Sequence, residues 1–423
     1  MVLFSRSTAF SRVTSIAARR QVHAAFAWMH NNPRTIMDWQ AKLVEIPAPP
    51  FGEEVRAAWI SEQFIKAGLS GVSIDLTGNV IGMIPAANLP ADSTGPVVVL
   101  SAHLDTVFPA DTNIIAKVVE SNGCLRLEAP GASDNGAGVA GMLALAHALI
   151  HAEIELPVPV IVIGNVGEEG EGDLRGIRHF YNESILSSRV AAHIVLDGAG
   201  ADSAVTQALG SVRFQVEVCG PGGHSFTDAG TPNPISALAS ALAVVGEIKL
   251  PDEPRTTSNI GTIHGGTSVN SIPERSAASI DFRSTSSDEL VRLEVALHRA
   301  VEDAVNRANG IAATLRGRSR GPLTFSINKI GDRPAAHLPA DSAMLETLRS
   351  VDRHLGIRTD LRLGSTDANV PIARGVPALS MGAGGDGGGA HTLAEWYTDK
   401  NRELGLRRAL LLTLAIAEWA AEQ

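Results

Sequence analysis

Cysteine is nearly missing from this 423-residue chain, which has only Cys124 and Cys219. Two cysteines build neither a disulfide framework nor a cysteine-based zinc site, so a reducing cytoplasm is the expected setting. No uninterrupted apolar stretch approaches the ~20 residues of a membrane-spanning helix, so no membrane role is expected. No basic block offsets the formal charge of −10, which argues against nucleic acid as the main partner. No acidic residue precedes Asp38, while Arg6, Arg12, Arg19 and Arg20 occur among several serines. That composition is partly transit-peptide-like, but the apolar core of roughly seven or more residues that a secretory signal needs is absent. The other reading of this stretch is an amphipathic or frayed N-terminal helix. The chain contains no internal repeat.

What remains is an ordinary globular composition, 44% hydrophobic and 19% charged, in a chain long enough for two domains. Helix-like apolar spacing covers about 13–29, 36–45 and 53–67, with Asn31-Asn32-Pro33 and Ile46-Pro47 as breaks. Apolar β-type runs then lead to four polar ends. The run 97–102 leads to His103-Leu104-Asp105, 158–162 to Glu168-Glu169, 192–196 to Asp197, and 378–381 to a glycine-dense loop ending at His391. The small-residue stretch 139–150 predicts a helix packed tightly under a sheet. Strands alternating with helices indicate an α/β sheet with its ligands at strand ends. Near Gly210 the pattern changes to strands with one wet face. The order β-α-β-β-α-β, with 311–316 as its last strand, predicts a ferredoxin-like α+β insert. The expected division is 1–209 and 322–423 for the α/β domain and 210–321 for the insert.

Five candidate metal ligands stand at strand ends or in glycine-rich turns: His103, Asp134, Glu169, Asp197 and His391. Imidazole with carboxylate suits zinc, cobalt or manganese. Each also has a plain alternative as a turn or strand-exit residue. In extended backbone residues i and i+2 share a face, so the Asp105 carboxylate is expected to orient the His103 ring. Adjacent Glu168 and Glu169 point different ways. One can bind a metal and the other face the water it activates, in either assignment. Gly382–Gly389 lacks a following Lys-Ser/Thr and leads to a histidine, so a phosphate-binding loop is disfavoured.

In this order the motifs SAHLDTVFP, GASDNGAGVAGM, GNVGEEGEG, VLDG, GPGGHSF, TSVNSIP, DFRS, GSTDAN and GAHTLAEW resemble the dinuclear zinc exopeptidase and deacylase family. That family includes carboxypeptidase G, peptidase T, bacterial dipeptidases, aminoacylases and succinyl-diaminopimelate desuccinylase, and the resemblance runs from about Trp39 onward. It implies a zinc-exopeptidase-like catalytic domain and a ferredoxin-like lid that supports a homodimer. It also implies two divalent metal ions per subunit: Asp134 bridges them, His103 and Asp197 hold one, and Glu169 and His391 hold the other. Glu168 becomes the general base, and the Asp134-Asn135 peptide bond is implied to be cis. His224 supplies an oxyanion donor from the lid, often across the dimer. Asn270 and Arg283 match lid positions that contact substrate. Arg283 could equally be a sheet-edge charge. Gly384 and Gly385 are read as glycines that let backbone approach the substrate.

The expected reaction is amide hydrolysis in a short peptide, with an N-acyl amino acid as the alternative substrate. Asp197 departs from the histidine expected of the carbamoylase-like branch. A catalytically dead binding relative predicts a lost ligand or base, yet all five ligands, Glu168, Asp105 and His224 are present.

Overall fold

A computed structural model of the chain describes residues 8–87, 94–121, 123–314 and 319–423. The chain divides into a unit made of residues up to Ala208 and from His337 on, and a second unit, Leu209–Ala336. The first contains a nine-stranded sheet. At its centre Val160–Asn165, Val97–His103, Val190–Leu196 and Ala378–Met381 lie side by side and parallel, in that order. Every residue of Val97–His103 and Val160–Asn165 is buried. Parallel strands covered on both faces carry continuous apolar runs, which is why these read clearly in the sequence.

The helix Gly136–His151 packs beneath them as closely as its small residues allow. A Cβ at Gly138 would stand 2.4 Å from the Leu196 carbonyl oxygen, and one at Gly141 would stand 2.5 Å from the Ala383 methyl. Only glycine permits that approach. The closing helix Arg402–Ala421 shares the same core.

The N-terminal stretch joins this core as two helices, Ala9–Ala17 and Arg20–Asn31. Val13, Ile16 and Val22 are fully buried. Arg12 reaches Glu422 at 2.6 Å, and Arg19 pairs with Glu418. The amphipathic reading therefore holds from residue 9, while Arg6 lies outside the described residues. The polar stretch after His103 gives two strands, Lys117–Ser121 and Cys124–Glu128. They join Trp396–Thr398 and Asp386–Gly388 in a separate four-stranded sheet. Its strands are three to five residues long, and its two local pairs meet only through Trp396–Thr398 beside Cys124–Glu128, so periodicity does not reveal it.

The second unit has the expected β-α-β-β-α-β order. Its antiparallel sheet runs Thr256–Gly265, Arg275–Ser284, Gly210–Cys219, Thr324–Arg333 in space. The helices Pro234–Gly246 and Ser287–Thr314 pack on its apolar face. The last strand corrects the sequence reading. Residues 311–314 continue the long helix through Gly310, 315–318 lie outside the described residues, and the strand is Thr324–Arg333. The insert therefore ends near Ala336, not at 321. Thr324–Arg333 is an edge strand, mostly exposed and with a register shift at Lys329/Gly331, so it lacks the alternation that marks a half-buried strand. Among the described residues no helix is long and apolar enough to cross a membrane.

Candidate active site

The four central strands end on one edge of the sheet, and their exits converge. His103 closes its own strand. Glu168 and Glu169 follow the neighbour on one side, and Asp197 follows the neighbour on the other. Asp134 arrives from the turn before the helix Gly136–His151, and its peptide bond to Asn135 is cis, as expected. His391, in left-handed backbone at φ +63°, comes from the loop after Ala378–Met381.

The contacts split on Asp134. Its Oδ1 lies 3.2 Å from His103 Nε2, and that nitrogen is 3.7 Å from Asp197 Oδ1. Its Oδ2 lies 3.0 Å from His391 Nε2, which is 2.9 Å from Glu169 Oε1. One carboxylate thus faces two donor sets, His103 with Asp197 and His391 with Glu169. Donor atoms of His103, Asp134 and Glu169 all fall within 4.8 Å of one another. A tetrahedral cation with bonds of about 2.0–2.2 Å separates neighbouring donors by about 3.3–3.6 Å. The separations here, 2.9–3.7 Å, bracket that spacing, and the oxygen and imidazole donors suit a divalent first-row ion. These five residues could hold two cations that share Asp134.

The electrostatics point the same way. Hydrogen bonding to Asp134 pushes the His391 imidazole up to about 9. Burial would lower His103, but Asp105, Asp134 and Asp197 hold it well above the usual histidine range. Burial would likewise raise Asp134, and hydrogen bonds from the two imidazoles overcome that and depress it. Burial raises the Glu169 carboxyl. The site is built to attract positive charge.

Asp105 acts differently from expectation. The ring partner at His103 Nδ1 is the Asp105 backbone carbonyl, 3.1 Å away. The Asp105 carboxylate stays 3.6 Å from that nitrogen, beyond hydrogen-bonding range. Its two oxygens instead accept the backbone N–H groups of Glu168 at 2.9 Å and Glu169 at 2.7 Å. Asp105 fixes the His103 tautomer through its main chain and shapes the Glu-Glu turn through its side chain.

Three residues here escaped the sequence reading. Asn135 Oδ1 accepts the N–H groups of Gly138 and Gly198, both at 3.0 Å, and its amide donates to the Leu196 carbonyl at 3.0 Å. It ties the Asp134 turn to the strand exit carrying Asp197. The fully buried Asp367 accepts from Asn165 Nδ2 at 2.6 Å, and burial pushes it up to about 7. Glu395, 1% exposed, accepts from the backbone of the Asp134 turn. All three lie inside the recognised motifs, but an isolated polar residue in a loop carries no periodic signal of burial.

Gly384 needs another explanation than substrate approach. It is buried at φ +84°, and a Cβ there would stand 2.4 Å from the Arg402 carbonyl oxygen. The packing of the closing helix against this loop requires the glycine.

Within the second unit, His224 and Asn270 are neighbours. Gly223–His224 pairs with Ser271–Ile272, and Ser225 N–H donates to the Asn270 carbonyl at 3.0 Å. The exposed His224 ring accepts at Nδ1 from the Phe226 N–H at 3.1 Å. A neutral ring that accepts at Nδ1 carries its proton on Nε2 and so presents a donor there. Arg283 is far from this pair. It lies on a central strand, not the sheet edge, opposite Ser211, whereas His224 follows Cys219 at the other end of the same neighbouring strand. Eight residue steps of about 3.3 Å put roughly 26 Å between those ends. The Arg283 Nε donates to Asp281 Oδ2 at 2.8 Å.

Comparison with known proteins gives the family and the fold. A probable carboxypeptidase of Aspergillus clavatus is 28% identical over 294 residues, 65% of this chain and 63% of that protein. The chain thus spans less than two thirds of that relative's length. An aminopeptidase, PepT, from Bacillus cereus superposes with a TM-score of 0.68 at 20% identity, covering 93% of this chain and 99% of that one. A Bacillus subtilis protein described as a dinuclear metal-binding peptidase superposes with a TM-score of 0.60 at 17% identity, covering 93% and 99%. The sequence profile of peptidase family M20/M25/M40 matches residues 99–414, a span that holds every residue of the cluster, and the chain therefore belongs to that family of metallopeptidases.

Proposed function

We propose that this protein is a dinuclear-metal exopeptidase that hydrolyses an amide bond in short peptides. The observation that carries the reading is the division of the two Asp134 oxygens between the His103–Asp197 and His391–Glu169 sets. Two divalent cations held there, zinc in the first instance, with cobalt or manganese as substitutes, would supply an acidified water and polarise the scissile carbonyl. Glu168, beside the candidate ligand Glu169 and 6% exposed, takes the water's proton and passes it to the departing nitrogen. His224 gives its Nε2 proton as a hydrogen bond to the developing oxyanion. Asn270, beside it, meets the substrate.

Arg283 enters this reading only if it exchanges Asp281 for a substrate carboxylate. A homodimer through the lid belongs to the same reading. So does a cytoplasmic setting, which rests on Cys124 and Cys219, neither of which is in a disulfide.

The test combines metal counting with Glu168→Gln. Two metals per chain should be retained, with kcat reduced by about 10²–10⁴. Full activity in that variant sinks the mechanism. Dipeptides and tripeptides blocked at either end, assayed beside N-acyl amino acids, test the substrate. Turnover of acyl substrates alone replaces the exopeptidase with a deacylase.

A further inference from the structure

We infer that Glu395 is the positioning residue that fixes the shared carboxylate Asp134, with Gln40 completing the grip; this rests on the two-cation reading above. Glu395 Oε1 accepts the backbone N–H groups of Ser133 at 2.7 Å and Asp134 at 2.8 Å, and Oε2 accepts that of Gly131 at 2.8 Å. From the helix Pro33–Val44, the buried Gln40 donates from Nε2 to the Ala132 carbonyl at 2.6 Å. Its Oε1 accepts from Arg402 at 3.2 Å, which fixes which end of the amide faces the turn. Four consecutive residues, 131–134, are thus each held by a side chain from elsewhere in the unit.

The chemistry of the grip is specific. Hydrogen bonds from N–H groups to an ionised carboxylate are shorter and stronger than neutral ones, and their direction sets where the turn's backbone can lie. A glutamine at 395 has one oxygen and one NH₂. Whichever way it turns, a donor meets a backbone donor, and the turn has to shift. Glu395 also follows His391 by four residues. One loop therefore brings a ligand to one cation and the clamp on the residue common to both. Removing His391 removes a donor from one set, whereas releasing Glu395 displaces the donor that both sets share. Glu395 plays toward the Asp134 turn the part Asp105 plays toward the Glu168–Glu169 turn.

The test is zinc uptake by the full chain, titrated against a chromophoric chelator, for the unaltered protein, Glu395→Gln, Glu395→Asp and Gln40→Leu. Glu395→Gln should weaken both zinc sites together, by about 10–100-fold each, the usual loss when a residue supporting a metal ligand is changed. At saturating zinc, kcat should remain reduced with KM little altered. Glu395→Asp keeps the charge and should recover part of the affinity. Gln40→Leu leaves the carboxylate in place and should give a smaller loss at both sites, so a misfolded Glu395→Gln does not end the experiment. Thermal unfolding in chelator separates lost stability from lost affinity. If Glu395→Gln, or Glu395→Asp with Gln40→Leu should it not fold, takes up two zinc ions as tightly as the unaltered protein, the inference is overturned alone. If the unaltered protein takes up fewer than two, the two-cation reading falls and takes this inference with it.

Discussion

Among the described residues every buried acidic side chain lies in one unit and none in the other. In the unit holding the candidate ligand cluster, Asp105, Asp352 and Glu395 are at most 1% exposed, and each is satisfied by several directed donors. In the lid, Asp281 and Glu217 lie on the wet face of the sheet, about a quarter exposed, and pair with arginines. A buried carboxylate with fixed N–H partners positions a ligand to fractions of an ångström, because moving it strands a charge. A half-solvated one can trade its partner for water or for a substrate group at little cost. Rigidity is concentrated where cations would be held, and adjustable charge where a substrate would be met.

The largest effect that checks this contrast comes from Asp352. Arg408, fully buried in the closing helix, donates to Asp352 from Nε at 2.6 Å and from Nη2 at 2.8 Å, and its third bond goes to the Ser203 carbonyl at 2.7 Å. Asp352→Leu leaves that guanidinium buried without a counter-charge, which should destabilise the unit by about 3–5 kcal/mol in equilibrium denaturation. A loss under 1 kcal/mol would mean that water reaches the pair and that the contrast between the units is weaker than drawn.

His224→Ala comes next, with an effect on rate and not on stability. The ring is exposed and its bonds are local to its own turn, so denaturation midpoints and zinc content should not move. Loss of one oxyanion donor should lower kcat by about 10²–10³. Unchanged turnover would remove the histidine from the reaction and leave it a turn residue.

The same contrast governs what the sequence disclosed. The central strands are covered on both faces and end in ligands, so their apolar runs and polar exits were legible one after another. His103, Asp134, Glu169, Asp197 and His391 were each named, and the chain brings all five together. What stayed hidden depends on long-range geometry. Glu395 and Gln40 meet the 131–134 turn across wide gaps in sequence. The Asp105 carboxylate chose the Glu-Glu backbone over the His103 ring, which i, i+2 spacing cannot distinguish. The lid's last strand is exposed along an edge and lacks alternation, so a stretch of helix was read in its place.

A smaller effect concerns pH. The His391 imidazole is raised to about 9 from an ordinary 6.5 by its hydrogen bond to Asp134. A group raised on folding contributes stability that is fully present below its unfolded value and is lost as pH rises through the folded one. In chelator, thermal stability should therefore decline between about pH 6.5 and 9. With zinc bound the imidazole is a neutral ligand, and that decline should flatten. Parallel pH profiles with and without chelator would separate His391 from the cation site.

Asp281→Asn should give the smallest change, and it is the most direct probe of the lid. Asp281 accepts from Arg213 Nε at 3.2 Å and from Arg283 Nε at 2.8 Å, so it competes with any substrate carboxylate for Arg283. A half-exposed pair of this kind is worth at most about 1 kcal/mol, so stability should hardly respond. If Arg283 meets the substrate, removing the competitor should lower KM for a peptide with a free carboxylate by up to about fivefold, the equivalent of 1 kcal/mol. KM for a peptide with an amidated C-terminus should not move. Equal responses from the two peptides would assign Arg283 to the lid's own ion pairs and remove it from the proposed substrate site.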